Sequence, residues 1–210
     1  MTRWLPGIIN GYAPDLVYLP EVTFDMDEFF ASVKEALKKH PNVVVAVSEG
    51  IRFADGRYVG EGTQSGSTDA FGHKYLAGTG KALELAVKAE IGCKVRSIEL
   101  NLPQRCASHC SSLTDLTESS GAGMAAVKAA AEGISGHMIS IQRCEGAYAV
   151  DFKASDISKI ANQVRSVPRD FINAAGNNVT KECLEYILPL IQGEPAIAYK
   201  NGIPVQFVID

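Results

Sequence analysis

A carboxylate and a guanidinium each stand at the end of a short apolar run. Val43–Val47 leads into Ser48-Glu49-Gly50, and Ile98-Glu99-Leu100 leads into Asn101-Leu102-Pro103-Gln104-Arg105. If both runs are strands of an open α/β sheet, these residues sit outside carboxyl ends, where such sheets bind ligands. Glu49 suits the hydroxyls of a sugar, and Gly50 lets a ligand approach the backbone. Arg105 suits a phosphate, which a guanidinium grips with two parallel charged hydrogen bonds. Together they suggest a polyol phosphate. Spacing alone leaves a plainer reading open, a surface salt bridge or two strand-end charges in water.

Arg96 poses a separate problem at the other end of the second run. Nine residue steps separate it from Arg105. Fully extended at ~3.3 Å each they would span roughly 30 Å, too far for one phosphate to touch both. Either Arg96 decorates the start of the strand, or it serves a site on another subunit, as a two-fold oligomer allows.

Other signals carry less. Gly78-Thr79-Gly80-Lys81 resembles the tail of a P-loop, but Tyr75 stands where the first Gly belongs and Ala82 follows the Lys. Cys106, His109 and Cys110 lie close together without an evident fourth zinc ligand, and no metal site is assigned. His73, in Asp-Ala-Phe-Gly-His, reads as a packed loop residue ahead of a general base. Ser112, Thr114 and Asp115 read as residues that begin a helix. No catalytic residue is assigned.

The elements that must position these residues alternate strand with helix. Residues 15–19 read as a buried strand. Met26, Phe29, Phe30, Val33 and Leu37 have helical spacing behind Asp25 and Glu28, a capping-box pair. Residues 43–48 read as a strand buried on both faces of a parallel sheet. Residues 50–74 form a long loop of the kind used as a binding loop or lid. A helix is predicted over 75–90 with Gly92 ending it, then a strand over 94–100. Asp115 with Glu118 is expected to cap a helix that Gly133 stops. Strands follow at 137–142 and 148–152, then short helices at 154–164 and 179–187, the latter broken by Pro189. Asn201-Gly202 between apolar runs predicts a terminal hairpin. Repeated strand–helix–strand units give the expected class, α/β, a Rossmann-like three-layer sandwich with a mostly parallel sheet.

Composition limits the partners. The 210 residues carry 20 Lys and Arg against 24 Asp and Glu, a net charge of −4, and no basic stripe runs along the chain. Nucleic acid is therefore not expected as a partner. The apolar run at 43–47 is far too short to span a bilayer, so no membrane is expected either. The first residues show no long apolar stretch of a signal peptide. Five cysteines, an odd number without framework spacing, fit reduced thiols in the cytoplasm.

The ordered set VVVAVSEG, DAFGH, VRSIELNLPQRCASH and a following S-x-T-D resembles the carboxy-terminal half of phosphofructokinases, most of all the bacterial pyrophosphate-dependent branch. APDLVYLPE upstream, and VPRDFINAAGNNVT and YILPLIQGEP downstream, agree in order, so the resemblance covers roughly residues 13 to 193. It implies that residues 1–210 are the carboxy-terminal portion of a two-domain fold: most of the fructose 6-phosphate side, with returning elements of the donor side. It implies phosphoryl transfer in glycolysis from pyrophosphate to the 1-hydroxyl of fructose 6-phosphate, by a cytoplasmic homo-oligomer. An ATP donor, or a non-catalytic sugar-phosphate-binding or regulatory subunit of the same fold, remain the alternatives. By the resemblance Glu49 contacts the sugar, Arg105 with Gln104 beside it holds the 6-phosphate, and Arg96 reaches the 6-phosphate of an adjacent subunit.

Departures accompany the likeness. Leu102, followed by Pro103, stands where many relatives carry a His or Tyr three residues before that arginine. The Gly-Gly-Asp loop and Thr-Ile-Asp-Asn-Asp segment, which in the family cradle the donor and hold Mg²⁺, are not in these 210 residues. The chain is therefore expected to bind fructose 6-phosphate without turning it over alone, with Mg²⁺ and the donor left to the family's other half.

Overall fold

A computed structural model of the chain describes residues 14–61 and 78–205. His73 and the Asp-Ala-Phe-Gly-His segment lie outside the described residues, as does most of the loop expected at 50–74. The chain divides into two compact units. One comprises Gly7–Asn101 with Ser166–Leu184, the other Met1–Pro6, Leu102–Arg165 and Glu185–Asp210.

In the first unit β1 (Leu16–Tyr18) runs parallel to β2 (Val45–Val47), in the register Leu16 to Val45. The crossover between them is α1 (Met26–Lys39), whose first turn forms because the Asp25 carboxylate accepts from the amides of Asp27 and Glu28, both at 2.9 Å. Phe29 and Val33 are the face it buries. A second helix, α2 (Thr79–Ile91), adds Leu83 and Val87 to the same core and ends at Gly92, whose φ of 74° suits a residue without Cβ. Tyr18 meets Phe24 and Phe29 edge-on, with ring centroids 5.3 and 5.5 Å apart, and Ile51 is fully enclosed. Burying Phe29 contributes about 2–3 kcal/mol. The turn at 173–178 lines the other edge of β1, where the Val17 amide donates to the Asn177 carbonyl at 2.9 Å.

The second unit holds α4 (Leu113–Ala131) and a seven-residue antiparallel hairpin of β3 (His137–Arg143) and β4 (Val150–Asp156). Gly121 lets the helix lie against the hairpin, since a Cβ there would stand 2.4 Å from Phe152 Cζ. The helix ends in a Schellman arrangement, with Gly133 N–H on the Ala130 carbonyl and Ile134 N–H on Ala129. β5 (Tyr199–Lys200) and β6 (Ile203–Pro204) close over Asn201 (φ 53°) and Gly202 (φ 80°), the turn expected there. Two short helices, α3 (Asn101–Cys106) and α5 (Lys181–Ile187), each carry a boundary between the units.

The α/β class holds, with five corrections among the described residues. Parallel pairing is confined to β1 and β2, while the other two ladders are antiparallel. β2 is half-buried instead of buried on both faces, because it pairs with β1 alone. Residues 94–100 form no ladder; burial alternates from Cys93 to Ile98 as in a strand, but no strand pairs with them. Residues 154–156 belong to β4, followed by a 3₁₀ turn at Ile157–Lys159, because the hairpin register carries on to His137 opposite Asp156. The cap of α4 is Ser112, not Asp115: its hydroxyl accepts from the Asp115 amide at 3.0 Å.

Candidate functional site

Glu49 occupies the turn that leaves the carboxyl end of β2, with its side chain exposed. The backbone beneath it is fixed. Ser48 donates its amide to the Tyr18 carbonyl at 3.0 Å, and its hydroxyl accepts from the Gly50 amide at 3.2 Å. The buried hydroxyl of Thr79, the first residue of α2, donates to the Glu49 carbonyl at 3.2 Å. The carboxylate is thus held by its main chain while its oxygens face solvent.

Arg96 is exposed in the extended run that follows α2. That run pairs with no strand among the described residues, and α2 anchors it instead. Glu84 accepts from the Ser97 amide at 2.9 Å and from the Ser97 hydroxyl at 2.6 Å, and pairs with Lys81 at 2.5 Å. Glu99 accepts from the Gly78 amide at 3.1 Å, and Gly80 sits so close to Ser97 that a Cβ would stand 3.3 Å from its side chain. Lys81 foremost, then the two bonds from Ser97, favour the ionised carboxyl of Glu84 and lower it to about 2. The first two turns of α2 therefore tie down both the Glu49 turn and the run that carries Arg96.

Arg105 and Gln104 follow one another on α3, in the other unit, with Arg105 exposed; the side chain of Gln104 lies outside the described atoms. Pro103 is tolerated as the third residue of this helix, where its missing N–H would have had no intrahelical partner. The helical turn also corrects the full extension assumed between Arg96 and Arg105. Over residues 101–106 the chain rises ~1.5 Å per residue instead of ~3.3 Å.

Among the described residues, none of Glu49, Arg96 and Arg105 takes part in an ion pair. The salt-bridge reading of these charges thus finds no partner among the described residues, while that of simple solvated charges is untouched. Sequence reasoning missed Thr79 and Glu84. Gly78–Lys81 fails as a phosphate loop, yet it serves as the clamp for the two candidate segments. The available signal was Lys81 with Glu84 at i,i+3 across the first two turns of the helix.

No family model matches the chain. It is 37% identical over 201 residues to the pyrophosphate–fructose 6-phosphate 1-phosphotransferase of Halomonas elongata, a match covering 95% of this chain and 47% of that protein. It is 36% identical over 190 residues to the enzyme of the same name from Methylococcus capsulatus, covering 90% and 44%. The crystal structure of the pyrophosphate-dependent phosphofructokinase from Nitrosospira multiformis superposes with a TM-score of 0.75 at 30% identity, over 94% of this chain and 48% of that one. The chain spans about half the length of the relatives it matches. The resemblance seen in the sequence motifs holds along nearly all of the chain, and with it the α/β phosphofructokinase-type fold.

Proposed function

We propose that this chain, a relative of the pyrophosphate-dependent phosphofructokinases, supplies the fructose 6-phosphate side of phosphoryl transfer from pyrophosphate to the sugar 1-hydroxyl. The observation that carries the reading is the set of exposed charges at Glu49, Arg96 and Arg105 that form no ion pair among the described residues, two of them on segments clamped by α2. Rigid backbone under a free charged side chain is what a pre-organised ligand contact requires.

In this reading Arg105 grips the 6-phosphate through two parallel charged hydrogen bonds, with Gln104 beside it. Glu49 accepts from sugar hydroxyls, fixing the rotation of the ring about the anchored phosphate. The 1-hydroxyl, at the far end of the sugar, then faces the donor. Arg96 reaches the 6-phosphate held by an adjacent copy, so the working form is a homo-oligomer in the cytoplasm. In this reading residues 1–210 make up most of the fructose 6-phosphate side together with returning elements of the donor side.

In this reading pyrophosphate and Mg²⁺ are left to the part of the relatives that this chain does not match. The described residues do not fit the ion, since they contain no group of three or more His, Cys, Asp or Glu side chains able to hold a metal. No step is therefore assigned to it in this chain.

Isothermal titration of the chain with fructose 6-phosphate tests the proposal. Arg105→Ala should weaken binding roughly 10- to 100-fold, the value of a charged hydrogen-bond pair at about 1.5–3 kcal/mol. Arg96→Ala should weaken it as well, and mixing with Arg105→Ala chains should restore a fraction of the sites. The chain incubated with sugar phosphate, Mg²⁺ and pyrophosphate should form no fructose 1,6-bisphosphate. Wild-type affinity in Arg105→Ala, or sustained product formation by the chain alone, would overturn the respective claims.

A further inference from the structure

A cleft of about 40 Å³ lies within the first unit, between the first two turns of α1 and the turn at 173–178. Its polar lining is Tyr18, Thr23, Asp25, Glu28, Ser32 and Asn177, and none of its described lining residues is basic. One water needs about 10–15 Å³, and pockets for drug-sized molecules start near about 300 Å³. The cleft therefore takes one small species or a few waters.

The buried end of the lining is Tyr18, 9% exposed, whose hydroxyl has no hydrogen-bond partner among the described residues. Phe24 and Phe29 hold its ring edge-on, which keeps the oxygen at the cleft wall. An orphaned hydroxyl in such a place is costly unless something in the cleft meets it. Burial raises the phenol above its ordinary value, the nearby Ser32 hydroxyl lowers it by less, and the charge of Glu28 raises it further. Tyr18 is thus a neutral oxygen within reach of the Glu28 field.

The rest of the lining offers oxygens. Both capping bonds of Asp25 use Oδ1, which leaves Oδ2 available. Glu28 forms no ion pair among the described residues. The Ser32 hydroxyl accepts from Asn177 Nδ2 at 3.2 Å and keeps a second lone pair. The walls are preformed: Gly176, at φ 71°, lies so close to Val22 that a Cβ would stand 2.8 Å from Val22 Cγ1. Two carboxylates without a basic neighbour repel an anion, and the Asp25 cap already answers the positive end of α1. A divalent ion asks for more carboxylate, and no three His, Cys, Asp or Glu side chains among the described residues can hold one.

We infer that this cleft binds one monovalent cation, to which the hydroxyls of Tyr18 and Ser32 and the carboxylates of Asp25 and Glu28 supply oxygens. The site is separate from the residues proposed to meet sugar phosphate, and its test contains none.

Amide NMR of the labelled chain reads the binding, with potassium chloride replacing tetramethylammonium chloride at constant ionic strength. The Ser32 and Gly176 amides should shift along a saturable curve as potassium rises. Tyr18→Phe keeps the ring between Phe24 and Phe29 and should weaken potassium binding at least about tenfold, as should Glu28→Gln at its exposed position. In tetramethylammonium alone, Tyr18→Phe should protect the amides of β1 from exchange at least as well as wild type, because the orphaned hydroxyl is gone. The inference is overturned if the shifts do not saturate with potassium, if either variant titrates like wild type, or if Tyr18→Phe lowers protection in tetramethylammonium.

Discussion

Ser112→Ala removes one oxygen from a fully buried position, and its cost can be worked from the bonds that oxygen makes. The hydroxyl accepts from the Asp115 amide at 3.0 Å and donates to the Leu190 carbonyl at 2.6 Å. It completes a seal on the first turn of α4, in which the Leu113 and Thr114 amides donate to the carbonyls of Gly193 and Gln192 at 3.1 and 3.2 Å. Losing the cap costs about 1 kcal/mol. Leaving the Leu190 carbonyl without its donor in a site closed to water costs about 1–2 kcal/mol more. The sum is about 2–3 kcal/mol, felt locally first. A chain of two units need not unfold in one step, so a single melting temperature is the wrong readout. Amide exchange followed by NMR is the right one: protection at Asp115 and Leu116 should fall roughly 30- to 100-fold at every 1.4 kcal/mol per decade. Ser112→Thr, which keeps both bonds, should lose much less. Protection in Ser112→Ala within threefold of wild type would show that the two bonds do not hold the helix start.

Three further outcomes follow from the geometry. Gly121→Ala should destabilise the second unit by about 1–2 kcal/mol, since overpacking against Phe152 at about 1–3 kcal/mol outweighs the helix propensity gained; Phe152→Leu in the same chain should recover stability, and a single variant more stable than wild type with its Phe152 ring signals unmoved would refute the contact. Glu84 should titrate near 2 by carbon-detected NMR, against an ordinary value of 4.5. The folded value is depressed, so the clamp on Ser97 is at full strength above about pH 4.5 and is lost as pH falls toward 2, with the Ser97 amide exchanging faster in step; a midpoint near 4.5 would mean that Lys81 and Ser97 do not hold the carboxylate. Thr79→Val removes the hydroxyl bonded to the Glu49 carbonyl and should weaken fructose 6-phosphate binding a few-fold, about 1 kcal/mol, with unchanged affinity counting against α2 as the clamp of the Glu49 turn.

What was legible in the sequence is what neighbouring residues decide. Asp25 caps α1 because the amides it accepts from are two and three residues away, and the buried face of the helix follows from spacing alone. The Asn201-Gly202 turn is likewise local, requiring two residues at ease with positive φ. Misreadings began where a distant partner decides. Ser112 and Asp115 are both good capping residues, and the choice falls to Ser112 because the Leu190 carbonyl, 78 residues on, takes its proton. β4 runs on to Asp156 because His137 stands opposite, whereas Ala-Ser-Asp read by itself suits the start of a helix. Residues 94–100 have the composition and the alternating burial of a strand, but a ladder needs a second strand and none of the described residues provides one.

The candidate site divides along the same line. Glu49 was visible because a polar residue following a β-branched run is a strand end by local rules, and Arg105 because it follows a similar run. The clamp was invisible because Gly-Thr-Gly-Lys was weighed as a phosphate loop, where its missing glycine and hydroxyl disqualify it. In the structure the same residues need neither. Thr79 uses its hydroxyl on the Glu49 carbonyl, Gly78 its amide on Glu99, Gly80 its lack of Cβ on Ser97, and Lys81 its charge on Glu84. Each contact bridges segments from about 13 to 30 residues apart or braces the residue that does, so no window of sequence contains the reason for it. A chain with a marginal 94–100 run and no ladder to hold it can still present Arg96 in a fixed place, provided α2 supplies the anchor. The side chains proposed to meet substrate need to be read together with a helix whose own residues touch none.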